Sequence, residues 1–493
     1  MFCKEWSGRA AGMFLAALAL FPLEGLAQLR VPPGAPAYRE DRIIIQGKRG
    51  RDAALTTRHT GEKVRVRRAY PHLNNMQVIE LPPGANVRAA LERYRRSGDV
   101  DAAEPDYLLY PAVEPNDPGF TSDALWGLNT ISAPAGWDGL SSASNIIVAV
   151  VDSGVRYTHE DLAANMWTGP GGVHGINAIT GSNPNDPSDD LGHGTHVAGI
   201  IGGVGNNGLG VVGVAWHVKL MACKFLSPTA GSESDAVECF DYARTRGAKV
   251  INASFVAPVY LNMLYVATTN CRAAGIIVVC AAGNDQINND VTPYYPASFK
   301  LDNIVAVTST DGNDVFASSF SNYGATNVHL AAPGVGLYST SSQANNSYGY
   351  YAGGTGTSFS APYVSGALAL MIARYYPINY TATNYLQIID RLMLSVDPLP
   401  SLAGRCVTGG RLNLNKALNH FPSTLAAARG PAAGQVTLRL QGEPAAQYIL
   451  QGATNFTAWT PVSTNTTART GRFTNTLSTA ANPFRFYRAV LAP

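Results

Sequence analysis

The chain has 493 residues, 46% of them hydrophobic and only 14% charged, with a formal net charge of +2 at neutral pH. That length supports a large core plus accessory domains, and the low charge excludes a disordered chain or a basic nucleic-acid-binding surface. The small net charge conceals an asymmetry, +5 over residues 28–112 against −3 over 113–493, so a basic segment precedes an acidic body.

At the N-terminus, Lys4 and Arg9 precede "AAGMFLAALALFPL", and "GLA" at 25–27 puts small residues at a cleavage spacing. This predicts an export signal over 1–27, hence a secreted or extracytoplasmic protein of bacterial type. Pro22 and Glu24 argue against a permanent membrane span, and no other stretch reaches the ~18 apolar residues a span needs. Cys3 falls in the signal, leaving Cys223, Cys239, Cys271, Cys280 and Cys406. An odd number in an oxidising compartment leaves at least one unpaired, and a buried, reduced set is the expectation.

Residues 28–37 read as a linker. "RIIIQGK" and "NNMQVIELP" then read as strands, "NVRAALERYRRSGDV" as an amphipathic helix and "YLLYP" as a closing strand, a small α+β unit over 28–112. From 113 to 420 the pattern changes. "NIIVAVVDSG", "KLMACKFL", "AKVINASF", "GIIVVCAAGN" and "NIVAVTSTD" are continuous apolar runs, as expected of parallel strands buried on both faces. Helical stretches such as "SDAVECFDYARTRG" and "LNMLYVATTNCRAAG" lie between them, predicting an α/β domain with a mostly parallel sheet flanked by helices. After a linker-like "TLAAARGPAAG", residues 424–493 carry short β-rich runs and predict a small all-β, sandwich-like module.

Three segments set a reactive polar residue among glycines at the end of an element. "AVVDSGV" places Asp152 after a buried strand, "DDLGHGTHVAGIIGG" places His193 at a helix start, and "TGTSFSAP" places Ser358 likewise. Serine is a weak nucleophile that needs a base. Imidazole can take its proton near neutral pH, and a carboxylate can hold the other imidazole N–H. "VVCAAGN" adds Asn284, whose amide could bind a developing oxyanion. Each residue alone has an ordinary structural reading as a cap, a buried histidine or a turn residue; it is the order Asp, His, Asn, Ser that points to nucleophilic catalysis. The HxxH of His193 and His196 lacks the i,i+4 spacing and Glu of a zinc-peptidase helix, and His196 is expected in the core.

These segments resemble the subtilisin-like serine proteases (subtilases): "VAVVDSGV", "GHGTHVAG", "VVCAAGN" and "GTSFSAPYVSGALAL", with "YYPASF", "FSNYG" and "LAAPGV" between or after them. The resemblance covers essentially all of 113–420. It implies a serine endopeptidase with Ser358 as nucleophile, His193 as general acid and base, Asp152 orienting it and Asn284 as oxyanion donor. By the same resemblance, 28–112 is an inhibitory propeptide. The expected partners are protein or peptide substrates and the chain's own propeptide as an intramolecular inhibitor, with no nucleic acid, no stable membrane span and a monomeric enzyme. Substrate is expected to add as a strand along Ser254, Phe255 and Val256, with Gly283 also binding it.

Two positions depart from the family pattern. Phe359 follows the nucleophile where Met is usual, and Val256 stands where Gly is expected, which predicts a narrowed primary pocket. "NNGLGVVGV" resembles the family's calcium loop and implies ligation by Asn207 and the carbonyls of Gly205, Leu209 and Val211, joined by Asp161 and Asp117. Asp186, Asp189 and Asp190 of "NDPSDDLG" form a possible second site or a solvated acidic loop. No organic cofactor is expected. Two rival readings are a binding protein on a protease scaffold, which has no chemical reason to keep all four site residues, and an esterase or transpeptidase.

Overall fold

A computed structural model describes residues 38–108, 114–343, 349–419, 423–432, 434–443, 446–454, 459–468, 471–478 and 486–491. The expected export signal and the "YLLYP" strand beyond Leu108 lie outside these residues. The chain separates into two compact units, Met1–Pro111 and Ala112–Pro493.

In the first unit, strands β1 (Tyr38–Gly47), β2 (Arg65–Tyr70), β3 (Met76–Glu80) and β4 (Val100–Tyr107) form an antiparallel sheet in the order β2-β3-β1-β4. Helices α1 (Asp52–Gly61) and α2 (Val87–Arg96) accompany it. Ile43, Ile45, Leu55, Ile79, Leu91 and Tyr94 make the core. Asn86 caps α2, its side chain accepting from Ala89 N at 2.9 Å. The closing strand falls earlier in the chain than the apolar pattern suggests. β4 carries Pro105 and several acidic residues, and it tolerates them because it is a sheet edge.

The second unit opens with short helices α3 (Pro118–Thr121), α4 (Trp126–Thr130) and α5 (Ala133–Trp137). Its central sheet is built on β5 (Ser142–Asp152), β6 (Gly175–Asn177), β7 (His217–Lys224), β8 (Val250–Ala253), β9 (Ile277–Ala281), β10 (Ile304–Thr310) and β11 (Leu330–Pro333). They run parallel in the order β11-β10-β9-β8-β5-β7-β6. These are the apolar runs read from sequence, and β8, β9 and β10 are buried at every position. A hairpin of β12 (Leu337–Thr340) and β13 (Tyr350–Gly354) follows, and short β14 (Asp397–Pro398) and β15 (Gly410–Arg411) extend the sheet beyond β11.

Helices α6 (His193–Gly202), α7 (Glu233–Thr245), α8 (Asn262–Ala273), α9 (Thr357–Tyr375), α10 (Asn384–Leu394) and α11 (Leu414–Leu418) complete this part. Apolar clusters form on both sides of the sheet: Val148 and Val150 join α6 and α9 on one face, Ala149 and Val151 join α7 and α8 on the other. The alternation along β5 is the reason its sequence lacks a polar face. The five cysteines among the described residues are buried and free.

Two three-stranded antiparallel sheets end the chain. The first has the order β16 (Thr424–Arg429), β17 (Gln435–Gln441), β20 (Arg472–Ser478); the second β19 (Thr460–Thr466), β18 (Gln447–Ala453), β21 (Phe486–Leu491). The segment read as a linker is therefore partly strand, because "TLAAAR" pairs along its whole length with β17 despite its poor β propensity. Among the described residues, no helix is long and apolar enough to cross a membrane.

Candidate active site

Asp152 is the last residue of β5 and is wholly buried. His193 opens α6, where the left-handed Gly192 (φ +95°) turns the chain into the helix. His193 Nδ1 lies 2.8 Å from Asp152 Oδ1 and 3.0 Å from Oδ2. With Nδ1–H donating to the carboxylate, Nε2 of the neutral ring is left as a proton acceptor. Burial disfavours the imidazolium, but the charge and hydrogen bond of Asp152, with the charge of Asp189, outweigh it and raise the His193 pKa above 6.5.

Ser358 is the second residue of α9, so its N–H has no acceptor within the helix. Gly356, just before α9, has φ +146°, and a Cβ built there would sit 3.2 Å from both Ser358 Oγ and Asn284 Nδ2. The missing side chain thus leaves a gap bordered by the hydroxyl and the amide. Asn284 is oriented by its other end: Oδ1 accepts from Thr357 N at 2.9 Å and Thr357 Oγ1 at 3.0 Å, which turns Nδ2 toward the gap. Thr357 Oγ1 in turn accepts from Gly283 N at 3.0 Å. The Ser358 carbonyl accepts from Ser254 Oγ at 2.7 Å. Behind it, Ser254 Oγ accepts from Asn252 Nδ2, and Asn252 Oδ1 accepts from Ser365 Oγ, both at 2.8 Å. This buried chain ties β8 to the start of α9.

The cleft beside His193 measures about 570 Å³ and is lined by Leu191, Leu226, Ser254, Ser341 and Phe359, among others. Phe359 packs between two imidazoles, its ring 5.0 Å from that of His193 and 4.7 Å from that of His196. His196 is 3% exposed and burial drives its pKa down to about 3, so it is a neutral core residue. Phe255 and Val256 follow β8 and are half-buried, with the Phe255 ring edge-on to Phe225 at 4.6 Å. Ala257 exchanges two backbone hydrogen bonds with Tyr295, 2.8 and 2.9 Å, which fixes the turn after Val256. Gly283 has φ +116°, and a Cβ there would overlap the Asn322 amide at 2.3 Å and touch Tyr294 at 3.2 Å. Both the segment after β8 and Gly283 are therefore closely held by their neighbours.

The residues read as a calcium loop come together in part. Asp117 and Asp161 are wholly buried. Asp117 accepts from Asn206 N at 2.7 Å and Asn207 N at 3.3 Å; Asp161 accepts from Val211 N at 2.7 Å and Asn207 Nδ2 at 2.8 Å. Asn207 Oδ1 accepts from Leu209 N, and Gly205 N reaches Trp216 O at 3.3 Å. Burial raises both carboxyls, Asp161 to about 6, and the charge of Asp117 adds to that of burial at Asp161. Two dry carboxylates that repel each other are a donor set a hard cation suits, although Asn207 turns a donor toward Asp161 and must rotate its amide to offer oxygen. Among the described residues, no group of three or more His, Cys, Asp or Glu is placed to hold a metal ion.

The second acidic loop has other work. Asp189 Oδ1 accepts from Ser153 Oγ, Leu191 N and Gly192 N, and its Oδ2 accepts from Thr195 N and Oγ1. Asp190 pairs with Lys224. Of the two readings of this loop, a second calcium site or a solvated acidic loop, neither describes Asp189, whose oxygens are bound by N–H groups left unpaired at the start of α6. Sequence reading missed the roles of Asp189, Thr357 and Gly356 at the site; each lies inside or beside a quoted motif, where a polar or glycine residue next to the reactive one was itself the signal.

Comparison with known proteins adds independent findings. Residues 143–396 match the profile of the subtilase family, and residues 27–106 match that of the fervidolysin N-terminal prodomain. A thermophilic serine proteinase of Bacillus sp. (strain AK1) is 34% identical over 68% of this chain and 77% of its own length. Thermitase of Thermoactinomyces vulgaris is 35% identical over 62% of this chain and 99% of its own. Extracellular basic protease of Dichelobacter nodosus is 31% identical over 69% of this chain and 62% of its own. Among solved structures, a protease of Pseudoalteromonas arctica is similar with a TM-score of 0.54 and 28% identity, covering 62% of this chain and 99% of that one.

Proposed function

The chain belongs to the subtilase family of subtilisin-like serine peptidases, and from that premise we propose that it is a secreted endopeptidase made as a self-processing zymogen. In this reading, Ser358 Oγ attacks the scissile carbonyl carbon while His193 Nε2 takes the hydroxyl proton. Asp152 steadies the imidazolium, and Asn284 Nδ2 with the Ser358 N–H binds the oxyanion. His193 then gives its proton to the leaving amine and an acyl-enzyme on Ser358 remains. Water, deprotonated by His193, hydrolyses it. Ser254, Phe255 and Val256 would hold substrate as an added strand across from Gly283, with Val256 narrowing the primary pocket.

The observation that supports this most is the gap at Gly356, bordered equally by Ser358 Oγ and Asn284 Nδ2, each 3.2 Å from a Cβ built there. Residues 28–112 would act as the inhibitory propeptide of a catalytic domain over 113–420, followed by the module over 424–493. The signal-like residues 1–27, and the name of the extracellular relative, support secretion. Full-length chain from residue 28 tests the zymogen reading. Wild type should release a fragment ending near residue 112 and then cleave casein, while the Ser358→Ala protein stays full length. Equal processing of both proteins in the absence of other proteases would refute it.

The raised His193 pKa sets the pH dependence. Catalysis needs the neutral ring, so kcat/KM should fall as pH drops through a value above 6.5. A profile flat down to pH 5.5 would contradict the assigned base. The ion pair also stabilises the fold, with the opposite sign. That contribution is full below 6.5 and lost as pH rises through the raised value.

Subtilases commonly bind calcium. Here Asp117, Asp161 and Asn207, with the carbonyls of Gly205, Leu209 and Val211, would hold it, and its role would be to neutralise the two buried carboxylates. Adding millimolar calcium to calcium-free Ser358→Ala protein should raise Tm by on the order of 5 °C. Asp161→Asn should remove most of that rise. An unchanged Tm would end the calcium proposal.

A further inference from the structure

Lys224 is an ammonium group kept where the fold has little reason to keep one. It ends β7, in parallel register with Asp152 at the end of β5, and its side chain is 5% exposed. Burying a charge is costly unless it is paired and hydrogen-bonded, and a neutral side chain of similar shape would fill the space at less cost. The Lys224 Nζ donates to the Ser153 carbonyl at 2.7 Å and to Asp190 Oδ1 at 2.6 Å.

Those two partners belong to the two segments that carry the His193–Asp152 pair. Ser153 follows Asp152, and its N–H donates to Asp152 Oδ1 at 2.7 Å. Ser153 Oγ donates to Asp189 at 2.9 Å and accepts from Gly194 N at 2.9 Å, joining the strand end to the first turn of α6. Asp190 adjoins Asp189, which binds the N–H groups of Gly192 and Thr195 on both sides of His193. Lys224 thus closes a ring that runs from β5 through Ser153 and Asp189 to α6 and back through Asp190.

We propose that Lys224 is a positioning residue for the catalytic pair, fixing the strand end that carries Asp152 against the helix start that carries His193. It also supplies a positive charge to a crowded set of carboxylates. The charges that act on His193 are Asp152 on β5 and Asp189 in the loop before α6. Linked to these segments are Arg156, whose backbone N–H donates to Thr195 Oγ1, Asp186 and Asp190 in the same loop, His196 on α6, and Lys224 on β7, bonded to Asp190. Acids predominate in this set, and Lys224 is the cation placed between two of the segments that carry them. The inference rests on the reading of His193 as general base. Inactivity of His193→Ala checks that reading separately, whatever Lys224 does.

The test is kcat and KM on a peptide substrate from pH 5 to 9, for mature wild type, Lys224→Met, Lys224→Arg and Asp190→Asn. Lys224→Met should lower kcat about tenfold with KM within about twofold, because the pair is misplaced while the cleft is intact. Its acid limb should move up by roughly half a pH unit or more, since the uncompensated carboxylates favour the imidazolium. Lys224→Arg should return the limb to the wild-type position. Asp190→Asn, a change at an exposed side chain, should move the limb slightly the other way. A merely structural lysine predicts a lower Tm with kcat and the limb unmoved, and that result overturns the proposal. So does failure of arginine to restore the limb. If Lys224→Met does not mature, an unmoved limb in Asp190→Asn overturns it alone.

Discussion

Replacing Ser358 by Ala should lower kcat on a peptide substrate by about 10⁶, and His193→Ala by a similar factor, with the double variant no worse than either; the magnitude is the one known for the same triad in subtilisin. The physical reason for the non-additivity lies in the arrangement here. The hydroxyl is useful only while His193 Nε2 can take its proton, and Nε2 is an acceptor only because Nδ1–H is committed to Asp152 at 2.8 Å. Asp152→Asn should cost less, about 10⁴, because the ring survives but its tautomer is no longer enforced. Folding should be little affected by Ser358→Ala, since the serine's structural hydrogen bond is made by its carbonyl, to Ser254. A double variant much less active than the singles would mean that the two residues act independently.

Asn284→Ala should cost about 10²–10³ in kcat with KM nearly unchanged, the signature of a donor used only when charge develops on the substrate oxygen. Asn284→Asp is the sharper probe. It keeps an oxygen for the Thr357 N–H and Oγ1 hydrogen bonds that orient the side chain, and it removes the Nδ2 donor. It also places negative charge where an oxyanion must form, so its loss should exceed that of Asn284→Ala. Gly356→Ala should be at least as damaging while leaving every hydrogen-bonding group in place. Its Cβ would occupy the gap between Ser358 Oγ and Asn284 Nδ2, and its φ of +146° is one that L side chains rarely adopt. Unimpaired turnover in Gly356→Ala would show that the substrate oxygen sits elsewhere.

Much of this was readable from the chain itself. Asp152, His193, Asn284 and Ser358 stand at or just beyond the carboxyl end of a buried strand or at a helix start, positions that apolar runs and glycines mark clearly. The strands of the central sheet were legible for the same reason, since burial on both faces leaves unbroken apolar runs such as "GIIVVCAAGN". Elements whose sequence carries no such pattern were not. α1 buries only Leu55 and His59, β4 is a charged edge strand, and half of β16 is alanine. The supports of the site were hidden for a different reason. That Asp189 binds the helix start, or that Lys224 meets Ser153 and Asp190, depends on which loops fold together, and local pattern does not encode that. The acidic loop "NDPSDDLG" read equally as a cation site or a solvated loop, and neither reading foresaw that Asp189 binds the helix start.

An activated nucleophile at Ser358 should react covalently with an aryl sulfonyl fluoride, read by mass spectrometry of the digested protein. At pH 8 the processed wild type should gain one sulfonyl group on the peptide containing Ser358, with loss of activity in proportion. Labelling should fall away as pH drops through the His193 titration, and His193→Ala should remain unlabelled. Folded, processed enzyme that cleaves protein substrate yet takes the label at another residue, or takes none, would contradict the account.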